Sequence, residues 1–229
     1  MKFEIVVPKP MTSEELWDAR NKREEEKKDV FIDFSDELIE KALFLDIDGV
    51  IQQPSSQRRF DYVNDEAVMD QLYKELEDKF NVNYREFDKY DVTATYYDWN
   101  KGAVEEIRRI LDVTGAKIVV SSDWRIGRMG FYLPFLLRIH DFQKYLHGYT
   151  PIYHGYGSGP KRPEYENISR TRSVEILEYI RAHPHIKKWV AVDDINMSKD
   201  IPENFVEVYP RITAEEADRC IEILGKMDS

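Results

Sequence analysis

One cysteine, Cys220, stands in 229 residues, so no intrachain disulfide can form and nothing points to an oxidising compartment. The longest apolar patch, Phe131 to Ile139, is far too short to span a bilayer and contains Arg138. The opening "MKFEIVVPKP" has too short an apolar run for a signal peptide. A soluble, cytoplasmic protein without a membrane partner is the expectation. Basic excess is also missing: the net charge is −11 and the pI about 5.1. That disfavours nonspecific binding along long nucleic acid, which needs clustered Lys and Arg. It leaves room for a small site that takes a nucleotide or a nucleic-acid end. The five histidines (His140, His147, His154, His183 and His185) are scattered, and no His/Cys cluster suggests zinc.

With 42% hydrophobic residues, the chain can bury a core without staples. Residues 1–40 read as an N-terminal extension. It holds a strand candidate "FEIVV", then a charged helix opening on the Thr12/Glu15 capping box and running to about Lys28. The charge run Arg20 to Asp29 reads as a solvated face, and "VFIDF" (Val30 to Phe34) as a second strand candidate. Residues 41–229 read as one catalytic domain in which strands and helices alternate. "ALFLD", "AKIVVSSD", "KWVAVDD" and "FVEVY" are strand-like. Residues 65–80, 101–115, 171–183 and the Thr213-capped terminal segment are helical, with Val174, Leu177 and Ile180 on one face of the third. The fold class is therefore α/β, a Rossmann-like three-layer α/β/α arrangement with a mainly parallel sheet. An insertion at about 52–98 makes a small flap or cap, for which Asp48-Gly49 is a hairpin signal.

Three strand runs end in polar side chains: Asp46, Ser121 to Asp123, and Asp193 with Asp194. In a parallel sheet those ends share the edge where ligands bind. Converging carboxylates repel unless a cation sits among them, and a hard divalent ion with few protein ligands points to Mg²⁺. An ionised aspartate there can attack phosphorus. A second carboxylate two positions on can protonate the leaving oxygen and activate water. Gly49 permits the turn that brings Asp48 back over the site. Ser121 can hold a phosphoryl oxygen, and Arg172, at a helix start, can neutralise charge. Trp124 reads as packing. Arg125 faces either a substrate phosphate or a surface acid. Ser122 joins Gly49 and Arg125 as a candidate substrate contact, with a helix cap as the plainer role. Tyr96, Tyr97 and Trp99 could stack on a base, although aromatics in strands usually pack in the core. "HGYGSGPKRP" lacks the Gly-Lys-Ser/Thr of a P-loop and reads as a loop.

"FLDIDGV", "IVVSSDWR", "RSVEI" and "VAVDD", in that order, resemble the four motifs of haloacid dehalogenase (HAD) superfamily phosphohydrolases of the compact, small-cap type. Some similar members are linked to nucleic-acid repair. The resemblance implies a Mg²⁺-dependent phosphatase acting through an aspartyl-phosphate, with Asp46 as nucleophile and Asp48 as general acid/base. It implies that Asp46, the Asp48 backbone carbonyl, Asp193 and Asp194 hold the metal. The third motif is usually Lys; Arg172 stands there, with Lys161, Arg162 and Arg170 as rivals. The expected substrate is a small phosphorylated compound or nucleotide, the alternative a nucleic-acid end. A receiver-type switch would place its acids in the reverse order and should lack an acid/base like Asp48. A DxD glycosyltransferase would need a nucleotide-binding half ahead of the motif. An idle interaction domain sits poorly with intact Asp46 and Asp48.

Overall fold

The computed structural model describes residues 32–34, 37–153, 162–165, 167–168 and 171–225. The expected strand and helix before residue 31, and most of the glycine-rich segment at 154–163, lie outside the described residues. Of the strand expected at Val30 to Phe34, the described part is β1 (Ile32–Asp33).

Five strands run parallel: β2 (Lys41–Leu45), β3 (Lys117–Val120), β4 (Leu146–Tyr149), β5 (Lys188–Asp193) and β6 (Phe205–Glu207). Their order is β1-β4-β3-β2-β5-β6, with β1 antiparallel at one edge. The chain leaves β2 towards β3 on one side and later returns to β5 on the other, so the switch point of this α/β sheet lies at the end of β2. The side-chain alternation of the strands splits the core in two. Leu43, Leu45, Ile118, Val120, Val190 and Val192 face one cluster, which helices α1 (Glu66–Phe80), α3 (Lys101–Thr114), α4 (Gly127–Arg138) and α6 (Ala214–Gly225) cover. Phe44, Val119 and Ala191 face the other, against Ile176 and Tyr179 of α5 (Thr171–Ala182). This is the three-layer α/β/α architecture that the βαβ rhythm implied.

Local chemistry sets the helix ends. Asp65 accepts from the Ala67 and Val68 N–H groups to open α1, Asn100 caps α3 through Ala103 N–H, and Gly115 closes α3 at φ 71°. Thr213 N–H donates to Glu216 at 2.9 Å at the head of α6. Two elements went unread in the sequence. Helix α4 tolerates Pro134 inside it, and β4, "LHGY", is buried throughout although it carries His147 and Gly148.

The insertion departs from the expected hairpin. After a tight turn in which Gly49 N–H donates to Gln52 C=O at 2.8 Å, the chain is helical. A 3₁₀ turn (Arg58–Asp61), α1, a short α2 (Lys89–Thr93) and one π-helical turn (Ala94–Asp98) follow in sequence. Tyr96 and Tyr97 therefore sit on a helical turn rather than on a strand. The amphipathic face of α5 also differs from the 174/177/180 stripe. Ser173, Glu175, Ile176, Glu178 and Tyr179 are buried, because the two glutamates have arginine partners. No helix among the described residues is long and apolar enough to cross a membrane.

Candidate active site

Strand register assembles the site. Leu45 pairs with Val120 on one side and Val192 on the other, so the next residues, Asp46, Ser121 and Asp193, form a row across the switch point. Backbone bonds hold the row: Ser121 N–H donates to Leu45 C=O at 3.0 Å, and Asp46 N–H donates to Val192 C=O at 3.1 Å. Asp46, Asp193 and Asp194 each present a carboxylate oxygen within 4.8 Å of the others. Gly49, at φ +77°, closes this group. A Cβ there would stand 2.5 Å from Asp194 Oδ2, so only glycine leaves that carboxylate its place.

Arg172, from the first turn of α5, spans the acids. Its Nη1 lies 3.2 Å from Asp46 Oδ1 and 3.0 Å from Asp193 Oδ2, and its Nη2 lies 2.9 Å from Asp123 Oδ1. Among its rivals, Arg162 instead pairs with Glu178 at 2.7 Å, and Lys161 and Arg170 lie outside the described residues. Burial opposes the Arg172 charge, but Asp193, Asp46 and Asp123 outweigh it and hold the guanidinium ionised. One cation does not satisfy the cluster. Burial and the Asp46 charge push the Asp193 carboxyl up to about 7, against Arg172 and the Ile195 N–H. Burial and Asp46 also raise Asp194. Crowded hard oxygens whose ionised forms are disfavoured are what a divalent cation relieves, so the donor set fits Mg²⁺ or a similar ion.

Asp48 is held from two sides. Gln52 Nε2 donates to its Oδ1 at 3.1 Å, and Trp124 Nε1 to its Oδ2 at 2.9 Å. Burial raises its pKa; the Trp124 bond works against that, Asp46 and Asp194 add to it, and Arg59 opposes it. A carboxyl whose pKa is raised by burial and which two donors orient has the character of a general acid. Ser121 is buried, and its Oγ makes no hydrogen bond among the described residues.

Three residues considered for substrate contact have partners within the protein. Arg125 is buried, and all five of its N–H donors are engaged: by the Thr150, Ser121, Ser122 and Pro151 carbonyls and by Glu175 Oε2 at 2.6 Å. It has no donor left for a phosphate and meets a buried acid rather than a surface one. Ser122 is buried and caps the turn at Asp123–Arg125 through Trp124 N–H. Gly49 serves Asp194. Of the aromatic run, Trp99 is buried and stacks on His140, and Tyr97 stacks on Tyr62. Sequence reasoning passed over Gln52, Glu175 and the indole donor of Trp124. Only the last carried a signal, since it directly follows the Ser-Ser-Asp motif.

The family model for the HAD domain in Swiss Army Knife RNA repair proteins matches residues 42–218, well over half of the chain. The chain belongs to this family. No curated protein and no solved structure matches it. The HAD domain so defined begins inside β2 and contains the whole row of Asp46, Ser121 and Asp193, with Asp48, Arg172 and Asp194 around it.

Proposed function

We propose that this HAD domain is a metal-dependent phosphatase that removes a terminal phosphate from a nucleic-acid strand. The row of Asp46, Ser121 and Asp193 bridged by Arg172 carries the phosphatase reading. Membership in a family of RNA repair proteins moves the substrate from the small metabolite expected on net charge to a strand end. An end phosphate is a point contact and needs no basic tract.

Asp46 has Oδ1 engaged by Arg172 and offers Oδ2 to phosphorus. As the new O–P bond forms, the bond to the strand oxygen breaks, and Asp48 gives that oxygen its proton. Asp48, now a carboxylate, takes a proton from water, which attacks the phosphoryl-Asp46 and releases inorganic phosphate. Ser121 Oγ and Arg172 hold the equatorial oxygens through both steps. Asp46, Asp193 and Asp194 would hold a divalent cation, whose chemistry is to neutralise the phosphoryl oxygens and the carboxylates' mutual repulsion.

The test is phosphate release from 5′- and 3′-phosphorylated oligoribonucleotides, mononucleotides and an aryl phosphate, with Mg²⁺ or EDTA, for wild type and Asp46→Asn. Mg²⁺-dependent release, fastest from an oligonucleotide and lost in the variant, supports the reading. Preference for mononucleotides would move the substrate class back to small molecules, and undiminished release by Asp46→Asn would remove the nucleophile.

A further inference from the structure

The insertion carries a surface that the chemistry above does not use. Phe60 is 50% exposed and Tyr90 43%, unlike the packed Tyr62, Tyr97 and Trp99 nearby. The two rings lie 6.3 Å apart, centroid to centroid, at 50°. Each has a cation beside it: Arg59 Cζ stands 5.2 Å from the Phe60 centroid, and Lys89 Nζ 5.2 Å from that of Tyr90. Three acids of this region have partners within the fold, while Asp61 beside Phe60 is exposed. Asp98 takes the Arg59 backbone N–H at 3.0 Å, Asp88 caps α2 through Tyr90 N–H, and Asp91 accepts from the Tyr132 hydroxyl.

The surface is tied to the reacting groups. Gln52 bonds the Asp48 carboxylate and also bridges in backbone to Trp99, directly after the π-helical turn. The Arg59 guanidinium lies within electrostatic reach of Asp48. Its Nε sits 3.4 Å from Asp98 Oδ2, and its terminal amino groups make no hydrogen bond among the described residues. A cation with free donors, flanked by exposed aromatic rings and close to the acid that serves the leaving oxygen, has the chemistry of a single-strand platform. Phosphodiesters take charge-assisted bonds from arginine, and bases stack on rings regardless of sequence.

We propose that Arg59, Phe60 and Tyr90 bind the terminal nucleotides of a single-stranded nucleic acid. Arg59 takes the phosphodiester next to the scissile phosphate, and the two rings stack on the bases. The inference rests on the strand-end reading of the site and makes the insertion its specificity element. It explains how a chain of net charge −11 can select a polynucleotide end: a few stacking contacts replace a basic groove.

The experiment is a binding cycle between ring and base. Dissociation constants are measured by fluorescence anisotropy for phosphorylated hexaribonucleotides and for the same strands with the two terminal bases removed. The proteins are Asp46→Asn alone and Asp46→Asn combined with Phe60→Ala or Tyr90→Phe. Base removal is expected to weaken binding to Asp46→Asn on the order of tenfold. In the Phe60→Ala protein the same removal should cost only the part carried by Tyr90, clearly less than in the parent, while Tyr90→Phe, which keeps the ring, should behave like its parent. Equal losses in all three proteins, or no measurable binding of either strand, would overturn the platform, and dimerisation through the Phe60 face would assign the patch to a second copy instead. Phosphate release by wild type from the same strands is scored separately. Base-dependent binding without release retains the platform and removes the hydrolytic reading; release without base dependence does the converse.

Discussion

Arg125, buried within the second motif, and Arg172, largely enclosed at the head of α5, have surroundings that differ in kind. Arg125 meets four carbonyls and one carboxylate, so its charge is matched once and its donors are filled. Arg172 meets three carboxylates, with Asp194 and Glu175 within electrostatic reach, so negative charge stays in excess around it. The first arrangement is finished as it stands. It fastens the Ser121–Ser122 backbone to the chain after β4 and, through Glu175, to α5. The second leaves carboxylate charge in excess, which a further cation would offset. The two arginines differ most in the number of carboxylates around them, one against three.

The comparison can be broken most severely at Arg125. Arg125→Met should destabilise the fold by about 3–5 kcal/mol, because it leaves Glu175 charged, buried and unpaired. Urea unfolding would measure it, and a change below 1 kcal/mol would show that the clamp is dispensable. Arg172→Met should do the opposite, costing about 1 kcal/mol of stability while lowering phosphate release on the order of a hundredfold or more. Equal losses of stability in the two variants would erase the distinction. Gly49→Ala probes the excess-charge side through Asp194, which the new methyl would displace. The left-handed backbone adds about 1–2 kcal/mol of strain, and the apparent Mg²⁺ affinity, read by activity titration, should fall.

The smallest effect concerns a half-buried base with no carboxylate bonded to it. Burial lowers the pKa of His140 from 6.5, against its hydrogen bond with the Thr95 carbonyl. The folded state therefore takes up its proton at lower pH than the unfolded chain, which does so as pH falls below about 6.5. Stability from this group is complete above that pH and declines below it. Unfolding free energies above and below that pH should show a shallower difference in His140→Gln than in wild type. An identical difference would leave His140 out of the pH response.

What could be read from the sequence follows from which rules the residues obey. The sheet edge was legible because apolar runs ending in Asp46, Ser121 and Asp193 fix both the strand and the end of it that is polar. Arg172 was legible by its place at a helix start, although only its contacts separate it from Arg162. The burial of Glu175 and Glu178 was not, since hydrophobic periodicity assigns acids to solvent. Their partners, Arg125 for one and Arg162, Arg181 and Tyr165 for the other, come from distant or helical neighbours. The aromatic run closing the insertion looked strand-like because Tyr96, Tyr97 and Trp99 favour strands, whereas the helix at 65–80 was legible by its periodicity. Tertiary packing against α1, such as the Tyr96 hydroxyl on Glu75, prevails over that preference.

The account turns on Asp46 carrying the phosphoryl group and Asp48 moving the proton. The most direct measurement is an acid-quench trap. Asp48→Asn protein is mixed with a phosphorylated oligoribonucleotide and Mg²⁺, quenched within one turnover, and its peptides are weighed. One added phosphoryl group on the peptide containing Asp46, absent from the Asp46→Asn control, is the result expected. Phosphate released with every peptide unmodified, or released equally by Asp46→Asn, would contradict the account.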